Sequence, residues 1–221
     1  MSWTEQIIHF VDFEGGIASG VLEYGVVTLR GAEIVATHTR LCRPRGRVRP
    51  EDSAVHGLRE DALAGCAPLA DDWEFFAGLR ETGPLAAHFA GTENALLKSV
   101  WPYPRLSPDF ARPGGTITDW GPWVDTGRLH PQFYPALTSA KLGELITAGG
   151  RQPDLDALAA AHCPPDRRFY HAALYDALAG ALLLAGLARD PSAAGHSLAQ
   201  MLALSTLDGG KRDELRQGRL F

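Results

Sequence analysis

Hydrophobic and polar positions along the chain switch between two periods. Ile7 to Phe13 is a continuous apolar run broken only by His9, the pattern of a buried strand. Tyr24 to Arg30 is rich in Val and Thr, Gly31-Ala32 forms a turn, and Glu33 to Cys42 reads as a returning strand. The N-terminal segment therefore predicts a three-stranded meander. Arg43 to Pro50, with Pro44, Gly46 and Pro50, is irregular. Helical spacing follows between Asp71 and Glu81, then a short apolar strand from Leu85 to Ala90. A helix is expected from about Thr92 to Val100, with Thr92 as its N-cap and Glu93 in the first turn. Pro102 to Pro122 reads as a long loop and Trp123 to Asp125 as another strand.

Beyond Ser139 the pattern is helical: Lys141 to Ala148, Leu155 to His162, Tyr170 to Leu187 and Leu198 to Leu204, before a polar tail. Strands first, then strands mixed with helices, predict an α/β fold with a mixed sheet and helices packed on it. We expect one domain over residues 1–205 and a tail over 206–221.

Composition changes this picture little. The chain has 221 residues, 45% hydrophobic and 21% charged, as in ordinary globular proteins. Its formal net charge of −5 argues weakly against nucleic acid as a partner, although bound cations can reverse a local field. The three cysteines, Cys42, Cys66 and Cys163, form no CxxC pair, so reduced thiols are expected rather than a disulfide frame or a zinc site. The N-terminus lacks a signal-peptide pattern. The apolar run Ala177 to Ala188 is too short to span a bilayer. The expectation is a soluble cytoplasmic protein that does not enter membranes.

Candidate chemistry begins with Asp12 and Glu14 at the end of the first strand. Residues two apart on a strand share a face. Two neighbouring carboxylates raise each other's pKa unless a cation neutralises them, and hard divalent ions suit oxygen ligands. The plainer alternative is a strand running out into water. Gly15-Gly16 would let a substrate backbone come close. Later, His171 and Asp176 open an apolar helix. Five residues turn an ideal helix by roughly 140° beyond a full turn, so these two converge only if His171 sits in the first turn or the loop before it. Otherwise they are a surface histidine and an exposed acid.

The order of these pieces resembles the DEDDh (DnaQ-like) 3′–5′ exonucleases, which have a ribonuclease H-like fold. Asp12-x-Glu14 matches the first motif and His171-x-Ala173-x-x-Asp176 the last. The middle motif is Ala87-His88-Phe89-Ala90-Gly91-Thr92-Glu93, backed by Leu96-Leu97. Val55-His56-Gly57-Leu58 resembles the family's His-Gly-Ile/Leu segment, which helps position the terminal nucleotide. Asp125-Thr126 with Lys141-Leu142 resembles a further landmark, so the likeness covers residues 7 to 187. Three positions depart from the pattern: Glu93 replaces the usual Asp, Phe89 the usual Asn, and Gly15 the usual Thr.

The resemblance implies that Asp12, Glu14, Glu93 and Asp176 hold two divalent ions, Mg2+ or Mn2+, roughly 3.5–4 Å apart. It makes His171 the general base and nucleoside 5′-monophosphates the product. The substrate would be nucleic acid with a free 3′ end, single-stranded, with Phe13, Gly15, His56, Gly57, Leu58 and His88 on its path. An RNA-trimming enzyme of the same fold and a weakly catalytic end-binding adaptor are the alternatives.

Two accessory segments stand apart. Arg40, Arg43, Arg45, Arg47 and Arg49 make a basic patch in an acidic chain; it is either a solvated loop or, through Arg45 and Arg47, a phosphate contact. The tail ends Gln217-Gly218-Arg219-Leu220-Phe221, with Gln217, Leu220 and Phe221 resembling the peptide by which bacterial replication proteins dock on the sliding clamp. If it does so, DNA is favoured over RNA. The alternative is a terminus that folds back on the domain.

Overall fold

A computed structural model of the chain describes residues 2–112, 114–206 and 210. The meander forms as expected: β1 (Ile7–Gly16), β2 (Gly20–Arg30) and β3 (Glu33–Leu41) pair antiparallel. β4 (Leu85–Ala87) then joins β1 in parallel, and β7 (Val124–Asp125) joins β4 in parallel. The order β3-β2-β1-β4-β7 gives the mixed five-stranded sheet. Between β4 and β7 the long loop folds a small hairpin, β5 (Ser107–Pro108) with β6 (Thr116–Ile117).

Helices flank the sheet. α1 (Pro50–His56) and α2 (Glu60–Leu63) follow β3, α3 (Trp73–Thr82) precedes β4, and α4 (Gly91–Val100) follows it. α5 (Thr126–Phe133), α6 (Leu142–Ala148), α7 (Gln152–His162), α8 (Ala173–Arg189), α9 (Pro191–Ala194) and α10 (Leu198–Ser205) follow among the described residues. None is long and apolar enough to cross a membrane.

Four expectations of the pattern are corrected. The strand after Pro84 stops at Ala87, not Ala90, because Phe89 adopts a left-handed φ of 60° that no strand continues. Thr92 is not the cap of α4. The helix starts at Gly91 behind Ala90, and the Asp125 carboxylate takes the backbone N–H groups of Phe89 and Ala90 at 2.9 and 3.1 Å. A side chain distant in sequence does the work of the local cap. The late helix begins at Ala173, not Tyr170. Helices α1 and α5 have no counterpart in the periodic pattern; each is short, and α5 contains Pro131.

The main core lies between the sheet and α8, where Phe10, Val27, Leu178, Leu184 and Leu187 are inaccessible to solvent. Each such side chain contributes roughly 1.5–3 kcal/mol relative to exposure. A second cluster, around Phe13, Tyr24, Phe76, Leu97 and Trp120, fills the opposite face of the sheet. Two glycines let α8 lie close. A Cβ on Gly180 would fall 2.1 Å from the Phe10 ring, and one on Gly25 would fall 2.4 Å from the backbone of Ala173 and Leu174. Gly25 pairs with Asp12 across β1 and β2, so the same close approach brings the start of α8 beside Asp12.

Candidate metal centre and active site

Alternation along β1 sends Phe10, Val11 and Phe13 into the two cores and leaves Asp12 and Glu14 on one face at the strand's end. Just past Glu14 the pairing with β2 slips by one residue. Gly15 sits there at φ 121°, where a Cβ would be 2.3 Å from the Gly20 carbonyl. Gly15 thus serves a bulge, which turns the strand at the site. Phe13 packs its ring against Phe76, 5.7 Å between centroids, and turns its side chain away from the acids.

His171 lies on the loop before α8, as convergence with Asp176 requires. Its φ is 67°, rare for any residue but glycine. Asp176, in the first turn of α8, folds its carboxylate back to accept the His171 N–H at 2.9 Å. One ligand-capable atom from each of Glu14, His171 and Asp176 lies within 4.8 Å of the others. The imidazole-bearing residue is exposed, whereas Asp176 is buried.

Asp12 and Glu93 share the same field. Burial pushes the Asp12 carboxyl well above its usual range, and the charges of Asp176, Glu93 and Glu14 push it further. Glu14 rises to about 8, through burial and then through Asp176 and Glu23, against the pull of Arg167. Glu93 also rises to about 8, chiefly by burial, and Asp176 to about 7 by burial. Glu93 Oε2 and Asp176 Oδ1 are buried without a hydrogen-bond partner among the described residues. Buried carboxylate oxygens without partners are costly. A divalent cation answers both problems at once, and the donor set is all oxygen plus one imidazole. The residues present therefore fit a divalent metal.

The remaining expected contacts fall in different places. His56, at the end of α1, is buried; its Nδ1 accepts the Leu58 N–H at 3.1 Å, so in the neutral ring the proton sits on Nε2, which has no partner among the described residues. Burial lowers its pKa, which favours the neutral ring. Gly57 ends α1 at φ 73°, and Leu58 is buried in a small cluster with Leu22, Val48 and Leu63. His88 spends both ring nitrogens inside the fold, on Thr126 Oγ1 at 3.0 Å and the Ala140 carbonyl at 2.7 Å. It ties β4 to α5 rather than pointing at the acids.

The basic patch divides. Arg40 pairs with Asp72, Arg49 with Asp52, and Arg45 donates to the carbonyls of Ile17 and Ser99, both at 3.0 Å. The exposed side chains of Arg43 and Arg47 make no hydrogen bond or ion pair among the described residues. Gln217, Leu220 and Phe221 lie outside the described residues.

Glu23 and Arg167 escaped the sequence pattern, as did the bracing role of Asp125. Asp125 braces the turn that leads to Glu93, and Glu23 pairs with Arg167 beneath His171. The one usable signal was Glu23, a lone charge in the apolar run Val21-Leu22-Glu23-Tyr24. Nothing local marked Arg167.

No family model matches the sequence, and no curated protein matches it. Solved structures do. Exonuclease X in complex with 5′-overhanging duplex DNA aligns with a TM-score of 0.65 at 21% identity, covering 90% of this chain and 99% of that one. The nuclease domain of 3′hExo, a DEDDh family member bound to rAMP, gives 0.60 at 16% identity over 86% and 96%. E. coli exonuclease I in complex with a dT13 oligonucleotide gives 0.57 at 11% identity, covering 83% of this chain and 41% of that one. The fold is therefore ribonuclease H-like, shared with exonucleases.

Proposed function

We propose that the chain is a metal-dependent 3′–5′ exonuclease that releases nucleoside 5′-monophosphates from nucleic acid, with DNA as the favoured substrate. The observation that carries the reading is the convergence of Glu14, His171 and Asp176 within 4.8 Å, in a cluster whose acids are pushed up by burial and, at Asp12 and Glu14, also by their neighbours' charge. The fold shared with exonuclease X and 3′hExo supports the same chemistry.

Asp12, Glu14, Glu93 and Asp176 would hold the ions, two in this reading. When bound, divalent ions supply positive charge that lowers the pKa of water and offsets charge on the scissile phosphate. The rest of the work belongs to this chain. His171 removes a proton from the attacking water, whose oxygen forms the new bond to phosphorus while the bond to the 3′ oxygen breaks. Asp176 fixes the His171 backbone through its N–H. Glu93, one methylene longer than Asp, reaches the cluster from α4. The buried Nε2–H of His56 is a donor for the terminal nucleotide, and Gly57 and Leu58 shape that end. Arg47 offers an uncommitted guanidinium to a backbone phosphate; Arg45 contributes by holding its loop. The tail residues Gln217, Leu220 and Phe221 would dock on a sliding clamp, which is what favours DNA.

The test uses 5′-labelled single-stranded DNA and RNA with Mg2+, with Mn2+ and with chelator, alongside Asp12→Ala and His171→Ala. A metal-dependent ladder from the 3′ end, lost in both variants, is the expected result. Binding of strand ends without cleavage under any metal would refute it in favour of an adaptor. Faster turnover on RNA would overturn the DNA preference.

A further inference from the structure

Beneath the loop that carries His171 lies a buried ion pair with no part in the chemistry above. Glu23, on β2, is 2% exposed and Arg167 8%. Arg167 Nε donates to one Glu23 oxygen at 3.2 Å and one terminal nitrogen donates to the other at 2.5 Å. The same terminal nitrogen donates to the His171 carbonyl at 3.3 Å, and the other one to the His56 carbonyl at 2.7 Å. Glu23 in turn accepts the N–H of Ala173, the first residue of α8, at 3.1 Å. One pair thus grips three backbone groups on two separate segments, His56 and the stretch from His171 to Ala173.

Stability alone does not account for it. Burying two charges costs desolvation that an apolar pair of the same volume avoids. What an apolar pair cannot do is hold carbonyls and an N–H in fixed directions, and a planar guanidinium fork does this well. The strained φ of 67° at His171 makes the same point. Such a conformation persists only where its surroundings over-determine it. Asp176 takes the His171 N–H and Arg167 takes its carbonyl, so the peptide groups on both sides of the Cα are fixed.

We propose that Glu23 and Arg167 are positioning residues. They set the backbone of His171, and hence its imidazole, against the carboxylates, and bring the His56 segment into register with the same point. This rests on the reading of His171 as the general base. Neither residue touches the reacting atoms; both act through His171 and the His56 segment.

Removing one partner alone strands a buried charge and risks the fold, so the main variant replaces both, Glu23→Met with Arg167→Met. The second is Arg167→Lys, which keeps the charge and loses the fork. Melting temperature, steady-state cleavage of a single-stranded oligonucleotide and amide exchange at Ala173 are measured in the full chain. Both variants are expected to melt close to the wild type. Their kcat should fall about 100-fold, the cost of a displaced catalytic group. KM should change by less than kcat does, because the pair sets the catalytic His171 as well as the His56 segment at the terminal nucleotide. Ala173 should exchange faster in the double variant. Wild-type kcat in a folded double variant, full activity in Arg167→Lys, or a loss confined to KM would overturn the proposal. If the wild-type chain cleaves nothing, the hydrolytic reading fails on its own, and unchanged exchange at Ala173 then overturns the clamp as well.

Discussion

Removing divalent cations should make the protein lose stability as pH rises, and adding them should reverse the loss. The acids of the site hold their protons longer in the fold than in the unfolded chain: Glu14 and Glu93 to about 8 and Asp176 to about 7, against ordinary values of 4.5, 4.5 and 3.8. The sign follows directly. A carboxyl whose folded pKa is raised stabilises the fold at low pH, and that contribution drains away as pH climbs from the unfolded pKa through the folded one. Each proton so retained is worth about 1.4 kcal/mol per pH unit. The acids repel one another and titrate as a set, so we count one net proton. From about pH 6 to 8 the loss is then roughly 3 kcal/mol, or about 5–11 °C in melting temperature for a chain of this size.

Buried histidines push the other way. His9 and His130 are held to about 4 by burial, so they favour the fold as pH rises through the ordinary histidine range. They lie on Thr28 and Thr82, and on the Thr126 carbonyl, apart from the acid cluster. Their contribution cancels when melting with saturating Mg2+ is compared with melting in chelator at each pH. Cations need the acids deprotonated, so the gap between the two curves should widen from pH 6 to 8. A constant or narrowing gap, or the same response in Asp12→Asn, would refute the reasoning.

Four further outcomes are expected. His171→Ala should leave melting almost unchanged, because its side chain is exposed, while kcat falls about 10²–10⁴-fold in single-turnover assays. Gly25→Ala puts a Cβ 2.4 Å from the backbone at the start of α8, so chemical denaturation should show a loss of about 1–3 kcal/mol, with activity falling alongside. Arg47→Ala should weaken binding to single strands of any sequence and reduce the salt slope of affinity by about one, whereas Arg49→Ala, already paired with Asp52, should do neither. Deleting residues 217–221 should leave turnover on free oligonucleotides unchanged and lower affinity for a bacterial sliding clamp in a pull-down titration.

Much of the sheet was legible because its strands carry their own signal. β1 and β2 are long and largely apolar, and β3 is a mixed apolar and polar return strand across a tight turn, so the pattern set their order. The His-x-Ala-x-x-Asp spacing was legible too, since at a separation of five a histidine meets Asp176 only from outside the helix. What escaped is non-local. Asp125 caps α4 from another strand, and no pattern within residues 87–93 announces that. Arg167 sits in a polar loop and gains meaning only when β2 delivers Glu23 beneath it. His88 was read as facing substrate because the motif around it is short; in three dimensions Thr126 and Ala140 claim both nitrogens.

The close seating of α8 against β2 at Gly25 has a consequence for how such a molecule comes into being. A ribosome makes Asp12 and Glu14 well before Asp176, so in the interval the emerging chain owns only part of its acid cluster. Under the proposed function, no cutting centre exists until the last long helix has left the exit tunnel and settled on a meander made long before. Nascent protein and the message it is read from share a crowded space. Under the proposed function, the order in which the pieces are synthesised keeps the cutting centre unformed there until α8 has joined it.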